Sequence, residues 1–246
     1  MLLPSLTPEK PKPSSGSQTP KDKKLRRRQD GSPVIPIDQT LPPKTIYLIR
    51  HGQSRGQDAK KNGLDRKTDP KLRDCDLTEK GASEALHISK LFTEEDLAAI
   101  QLVISSPLTR ALHTALLAFQ DKDILVHYDL REVGSKVPEN NPRDMKLVLR
   151  DLGPTLSQRD ETVTLDSDSL RPKDWPRDYS PSVVKKDRIR KVLHWIYKER
   201  TETTIAIVCH YNVIRSAVVD GIHLKPHNAI PIRCQLYNNG DLIVDA

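Results

Sequence analysis

Short unbroken apolar runs, separated by stretches of helical period, constrain this chain more than any other feature. The runs are Thr45-Ile46-Tyr47-Leu48-Ile49, Leu102-Val103-Ile104-Ser105, Ile124-Leu125-Val126 and Thr204-Ile205-Ala206-Ile207-Val208. None alternates with polar residues as a half-exposed strand does. A strand apolar on both faces must be covered on both faces, which is the habit of parallel sheets layered between helices. Between the runs the period changes. Leu77-Thr78-Glu79-Lys80-Gly81-Ala82 reads as a helix start, with Thr78 as N-cap and Leu77 and Ala82 at staple positions. Ser106-Pro107 reads as the N-cap and first-turn proline of a helix that buries Leu108, Ala111, Leu112, Ala115, Leu116 and Phe119. Ser182 is the candidate cap of a helix with the stripe Ile189, Val192, Leu193 and Ile196, and residues 213–219 form another helical stretch. Pro231 to Val244 reads as two strands around Asn239-Gly240, a strong hairpin signal. The expected fold class is therefore α/β: a mainly parallel sheet with helices on both faces, three layers in all.

Composition divides the 246 residues in two. Residues 1–43 hold nine of the 19 prolines and no periodic apolar pattern, so they cannot bury enough surface to offset their chain entropy. They are expected to be a disordered, basic, Pro-rich tail, and residues 44–246 the folded domain. Eight Lys/Arg stand against Glu9, Asp22 and Asp30 in residues 1–32, so +5 of the +7 net charge lies there. The basic run Lys21 to Arg28 is read as a solvated tail, with loose nucleic-acid contact or an import receptor as the alternative. The start is too soon broken by Pro4 to be a secretory core, and no apolar run approaches the ~18 residues of a spanning helix. Three scattered cysteines suit a reducing compartment. The expected location is intracellular and cytoplasmic, with the nucleus as an alternative, and no membrane partner. Residues 134–181, rich in Pro, Asp, Arg and Ser and with only a short helical hint at Met145–Leu152, are expected to be an insertion over the sheet edge and active site. Their basic residues are interleaved with Asp144, Asp151, Asp160 and Glu161, so the charges are read as solvating a long loop.

Three of the apolar runs end in basic or imidazole side chains: Ile49-Arg50-His51-Gly52, Ser105-Ser106-Pro107-Leu108-Thr109-Arg110 and Val208-Cys209-His210-Tyr211-Asn212. A fourth segment, Asp129-Leu130-Arg131-Glu132-Val133-Gly134, follows the third run and adds a carboxylate. In an open α/β sheet the carboxyl ends of the strands line the ligand crevice. The helices that follow aim their N-termini at the same place, which favours an anion. Each segment alone is a weak signal. Two arginines, two histidines and helix N-termini at strand ends, taken together, specify a phosphate site.

These segments resemble the histidine phosphatase superfamily, the phosphoglycerate-mutase-like fold. Tyr47 to Ser54 resembles its signature strand and loop, and Leu77-Thr78-Glu79-Lys80-Gly81 its LTxxG helix start. Ser105 to Ala111, completed by Thr114-Ala115, resembles its SSPLxRAxxTA segment, and Val208-Cys209-His210 its second-histidine strand. The resemblance implies a metal-independent phosphomonoester hydrolase acting through a phosphohistidine on His51, with no cofactor. It implies that Arg50, Arg110 and His210 bind the transferring phosphoryl group and that Glu132 is the proton donor. Gln57 stands where relatives often carry an Asn and would offer an amide to phosphate. The substrate would be a phosphorylated small molecule or phosphoprotein. Relatives often have Gly where this chain has Tyr211, and Glu84 replaces a usual Gln. Glu132-Val133-Gly134-Ser135 stands where mutases read Glu-Arg-x-Tyr-Gly, which points to hydrolysis rather than phosphoryl transfer.

Three alternatives remain at this level. One is a mutase-like transferase. Another is a non-catalytic scaffold, against which the joint presence of Arg50, His51, Arg110, Glu132 and His210 argues. The third is a cysteine phosphatase, because Cys209 to Ser216 matches Cys-x5-Arg-Ser. That loop normally needs glycine to form a phosphate nest, and here Val213 and Ile214 stand in its place.

Overall fold

A computed structural model of the chain describes residues 35–133, 137–160, 164–166 and 187–245. The basic run at 21–28, Ser182 and most of 161–186 lie outside the described residues. Five strands form the parallel part of one sheet: β1 (Lys44–Arg50), β2 (Leu102–Ser105), β3 (Ile124–Val126), β4 (Leu165–Asp166) and β5 (Thr204–Cys209). β6 (Pro231–Leu236) and β7 (Leu242–Val244) complete it as an antiparallel hairpin. The order is β4-β3-β2-β5-β1-β6-β7, with β6 antiparallel to β1.

Alternate side chains of the strands enter two separate cores. Tyr47, Ile49, Val103, Ile124, Val126, Ala206 and Val208 face one cluster, and Ile46, Leu48, Ile104, Leu125, Ile205, Ile207 and Cys209 face the other. The period of two in a strand thus becomes the two faces of the sheet. On the first face lie α1 (Glu79–His87), α3 (Thr109–Ala118) and α4 (Met145–Asp151), following and preceding the short α2 (Glu94–Ala99) and α5 (Gly153–Leu156). On the second lie α6 (Asp187–Glu199) and α7 (Tyr211–Ala217). The expected stripe of α6 is buried, with Ile196 fully so. Each such aliphatic residue contributes ~1.5–3 kcal/mol on leaving water.

One expectation differs from the structure. Ser106 does not cap α3, which begins at Thr109 with Leu108 as its N-cap. A distant carboxylate replaces it: Asp74 Oδ1 accepts from the Thr109 N–H at 2.9 Å and Oδ2 from the Thr109 hydroxyl at 3.0 Å. The Ser106 hydroxyl accepts only from the Leu108 N–H, at 3.3 Å, and also reaches the site described below. Of residues 134–181 the structure describes 137–160 and 164–166, and the helical hint at Met145–Leu152 is α4 there. Met145, Val148 and Leu152, at helical spacing, are buried in the first core, and β4 extends the sheet beside β3.

Register places the chemistry-bearing residues in a row. Arg50 pairs with Cys209, and Ser105 pairs with both Val208 and Val126. The ladder continues one step past the strands through His51 N–H to Cys209 O at 3.0 Å, Ser106 N–H to Val208 O at 2.9 Å and His127 N–H to Ser105 O at 2.9 Å. His51, Ser106 and His210 therefore emerge side by side at the carboxyl edge of the sheet.

Candidate active site

His51 is 4% exposed, and its ring is held in one tautomer. Nδ1 lies 2.7 Å from the carbonyl of Gly52, so Nδ1 carries the proton and donates. Nε2 keeps its lone pair and accepts from Arg110 Nε at 3.2 Å. Burial, then the adjacent Arg110, holds the imidazole well below the usual histidine range, so it is neutral. The His210 ring stands 5.1 Å away, centroid to centroid, and is kept neutral by burial and then by Arg110. Its Nε2 meets the Ser106 hydroxyl at 2.7 Å, and its buried Nδ1 has no partner among the described residues.

The loop that carries His51 is pinned by close backbone approach. A Cβ on Gly52 would lie 2.3 Å from the Gly81 carbonyl oxygen, and a Cβ on Gly81 would lie 2.1 Å from that of Gln53. Both glycines of the two sequence motifs are thus needed at one contact, where α1 docks on the loop that carries His51. Glu84, on the next turn of α1, accepts from Gln53 N–H at 2.8 Å. Asn228 donates from Nδ2 to the His51 carbonyl at 2.6 Å. Glu84 and Asn228 also line a cavity of about 370 Å³ beside this loop.

Arg50 and Arg110 flank the histidines. Arg110 is buried, and two further N–H groups are engaged: Nη1 donates to the Glu139 carbonyl at 2.5 Å and Nη2 to Asn140 Oδ1 at 2.8 Å. Arg50 donates from Nη1 to Pro226 O at 3.1 Å, and its guanidinium lies 5.2 Å from the centre of the Tyr211 ring. Its buried Nε has no partner among the described residues. Glu132 is 8% exposed, and its carboxylate accepts from Val133 N–H at 2.7 Å and, more weakly, from Asn212 N–H at 3.4 Å. Burial raises its carboxyl above the ordinary range. Arg188 of α6 ties down the segment that carries Glu132, donating to Asp129 O at 2.7 Å and Glu132 O at 3.2 Å. The Arg131 guanidinium stacks 3.5 Å from the Tyr128 ring centre.

The structure gathers His51, His210, Arg50, Arg110 and Glu132 at one edge of the sheet. Gln57 is placed differently from a free phosphate ligand. Its amide is paired with Asn228, donating to Oδ1 at 3.1 Å, while its Oε1 accepts from Ser54 N–H at 3.0 Å. These contacts tie it to the loop that carries His51. Glu139, Asn140, Asp74, Asn228 and Arg188 were not legible in the sequence. Each acts across 29 or more residues, with no local motif to betray it. Cys209 is fully buried in the second core, and burial pushes its thiol far above the usual range, so no thiolate forms there. Among the described residues no group of three His, Cys, Asp or Glu is placed to hold a metal ion.

A parallel sheet with two neutral imidazoles and two guanidiniums at its carboxyl edge defines the class of the histidine phosphatases. The family profile confirms it: the histidine phosphatase superfamily (branch 1) matches residues 46–242, and the chain belongs to that family. A Schizosaccharomyces pombe protein named as a probable phosphatase is 40% identical over 77 residues, 31% of this chain and 32% of its own length. The chain thus aligns with about a third of that relative. Among solved structures, the alpha-ribazole phosphatase of Shigella flexneri superposes with a TM-score of 0.51 at 17% identity, covering 82% of this chain and 95% of its own. A variant of the phosphoserine phosphatase of Entamoeba histolytica, in complex with phosphoserine, gives a TM-score of 0.50 at 17% identity over the same shares, 82% and 95%. These two likenesses establish the fold. No helix among the described residues is long and apolar enough to cross a membrane.

Proposed function

We propose that this chain is a phosphomonoester hydrolase that works through a phosphohistidine on His51 and needs no metal ion. The observation that carries the reading is the His51 ring itself, with Nδ1–H on the Gly52 carbonyl at 2.7 Å and the Nε2 lone pair turned towards Arg110. In the first step Nε2 forms a bond to phosphorus as the bond from phosphorus to the ester oxygen breaks. Arg50, Arg110 and His210 hold the equatorial oxygens. The departing oxygen takes a proton from Glu132, whose buried carboxyl retains one more readily than an exposed acid. In the second step the Glu132 carboxylate accepts a proton from water, that water attacks phosphorus, and the N–P bond breaks to return neutral His51 and inorganic phosphate. The two guanidiniums supply the positive charge that a divalent ion would otherwise provide. The intended substrates are phosphorylated small molecules or phosphoproteins.

The test is rapid-quench trapping with a ³²P-labelled ester in the presence of a chelator. An acid-labile, base-stable phosphoramidate on His51, absent in His51→Ala, is expected. Turnover that depends on added Mg²⁺ or Zn²⁺, or label recovered on another residue, would overturn the proposal.

A further inference from the structure

Ser106 directly follows β2 and is fully buried, and its hydroxyl is held from two sides. Pro107 has no N–H to offer, so the Leu108 N–H is the next donor along the chain, and it reaches Ser106 Oγ at 3.3 Å. From across the sheet edge, Nε2 of the equally buried His210 lies 2.7 Å from the same oxygen. Among the described residues the Ser106 hydroxyl has no other partner. Burial and then Arg110 keep His210 neutral, and a neutral imidazole carries one N–H and one lone pair. With the proton on Nε2, Ser106 Oγ would accept twice, and two buried groups would stay unmatched: the Ser106 O–H and the Nδ1 lone pair. With the proton on Nδ1, the hydroxyl donates to Nε2 and accepts from Leu108, and only the Nδ1–H is left over. That atom has no partner among the described residues. Buried unmatched groups are costly, so the second arrangement is favoured. Ser106 thereby occupies one ring nitrogen and leaves Nδ1 for the phosphoryl group.

We infer that Ser106 is a positioning residue for phosphoryl transfer, whose hydroxyl locks His210 in the Nδ1–H tautomer so that a neutral imidazole donates to a phosphoryl oxygen through Nδ1. The inference rests on the hydrolase reading for its catalytic meaning, while the tautomer itself is tested in the free protein. No proton changes hands in this role: the N–H bond of Nδ1 stays intact as it donates. The charged and titratable groups around His210 come from every side, Arg50 and His51 from the end of β1, Arg110 from α3 and Arg188 from α6, with Glu132 on the Asn212 N–H. A neutral donor suits that setting, since three guanidiniums oppose a further positive charge.

The experiment is nitrogen NMR of the full chain carrying ¹⁵N-labelled histidine, with the His210 signals assigned by their loss in His210→Gln. A protonated ring nitrogen and one with a lone pair resonate far apart, so the tautomer is read directly. Wild type is expected to hold the proton on Nδ1, and saturating inorganic phosphate should move the Nδ1 signal more than that of Nε2. Ser106→Ala should admit the Nε2–H tautomer and lose about tenfold in kcat on p-nitrophenyl phosphate at a pH of about 8, the effect of one neutral hydrogen bond. That deficit should narrow as the pH falls, because an imidazolium has an N–H on both nitrogens and needs no selection. A His210 proton on Nε2 in wild type would overturn the inference, whether or not Ser106→Ala folds. So would a Ser106→Ala deficit that is the same at every pH, which would reduce Ser106 to packing, and so would an Nδ1 signal that phosphate leaves unmoved. A wild type with the Nδ1–H tautomer that turns over no phosphate ester would instead sink the hydrolase reading alone.

Discussion

Replacing Gly81 by Ala tests whether the docking of α1 on the His51 loop sets the rate. The added Cβ would lie 2.1 Å from the Gln53 carbonyl oxygen, while ordinary van der Waals contact begins at 3.4 Å. The two backbones must therefore part by about 1.3 Å, and the neighbours are main-chain atoms that cannot rotate away. Gln53 is two residues beyond His51, and its N–H is also held by Glu84, so the displacement passes into the loop that orients the imidazole. Misplacement of a reacting group by ~1 Å costs on the order of 100-fold in rate. Forced overpacking costs roughly 1–3 kcal/mol of stability. Gly153→Ala is the control, because nothing lies within 4 Å of its added Cβ. The assay is kcat on p-nitrophenyl phosphate together with the thermal midpoint of each variant. Gly81→Ala should lose about two orders of magnitude in kcat, and Gly153→Ala almost nothing. A Gly81→Ala enzyme with wild-type kcat would show that the loop holds His51 without this contact, and the reasoning would fail.

Other outcomes are expected from the same geometry. His51→Ala should abolish turnover while Cys209→Ser keeps most of it, since Cys209 packs in the second core away from the site; the reverse pattern would restore the cysteine mechanism. Tyr211→Gly should raise KM on p-nitrophenyl phosphate several-fold by freeing Arg50 from its ring, and Tyr211→Phe should not; equal effects would exclude the stacking contact at 5.2 Å. Asp74→Ala leaves the Thr109 and Arg143 N–H groups unsatisfied and should destabilise the fold by about 3 kcal/mol, read by urea unfolding; a loss under about 0.5 kcal/mol would refute its role as a surrogate cap. Because His51 and His210 are depressed in the fold, the unfolded chain takes up their protons first as the pH falls below the unfolded value of 6.5, so stability declines from there downward. Each depressed histidine contributes up to ~1.4 kcal/mol per pH unit to that slope, and His210→Gln should remove one share between pH 6.5 and 5.5. Glu132 and Asp74, raised by burial, act in the opposite sense in both proteins, so an unchanged slope in the variant would count against the assignment.

Much of the sheet was legible in the sequence because parallel strands are apolar on both faces. The runs at 45–49, 102–105, 124–126 and 204–208 fall within β1, β2, β3 and β5. Motifs with a local cause also transferred well: Thr78 caps α1 through its hydroxyl, and Asn239-Gly240 turns the final hairpin with Gly240 at φ 79°. What escaped depends on contacts that no window of sequence contains. Ser106 has the look of an N-cap, yet Asp74, 35 residues away, performs that task and Ser106 serves His210 instead. β4 is two residues long and carries no pattern of its own. Asn140 and Glu139 lie in a polar stretch that reads as solvated, although both are buried against Arg110. Gln57, an amide the sequence offers to phosphate, has one amide N–H on Asn228 and its oxygen on Ser54, partners that lie 171 and 3 residues away.

The continuation of the β1–β5 ladder beyond both strands has a consequence for how such a site can change over time. The two imidazoles stand 5.1 Å apart, close to the ~4.8 Å that separates neighbouring strands in any sheet. The width of the site is thus inherited from main-chain hydrogen bonding and owes little to the identity of the residues packed beneath it. Substitutions in either core can drift, and cost or add stability, without altering the gap between the two imidazoles. A chain built this way can diverge far in sequence, and can acquire new outer loops for new leaving groups, while its chemical ruler stays the same length.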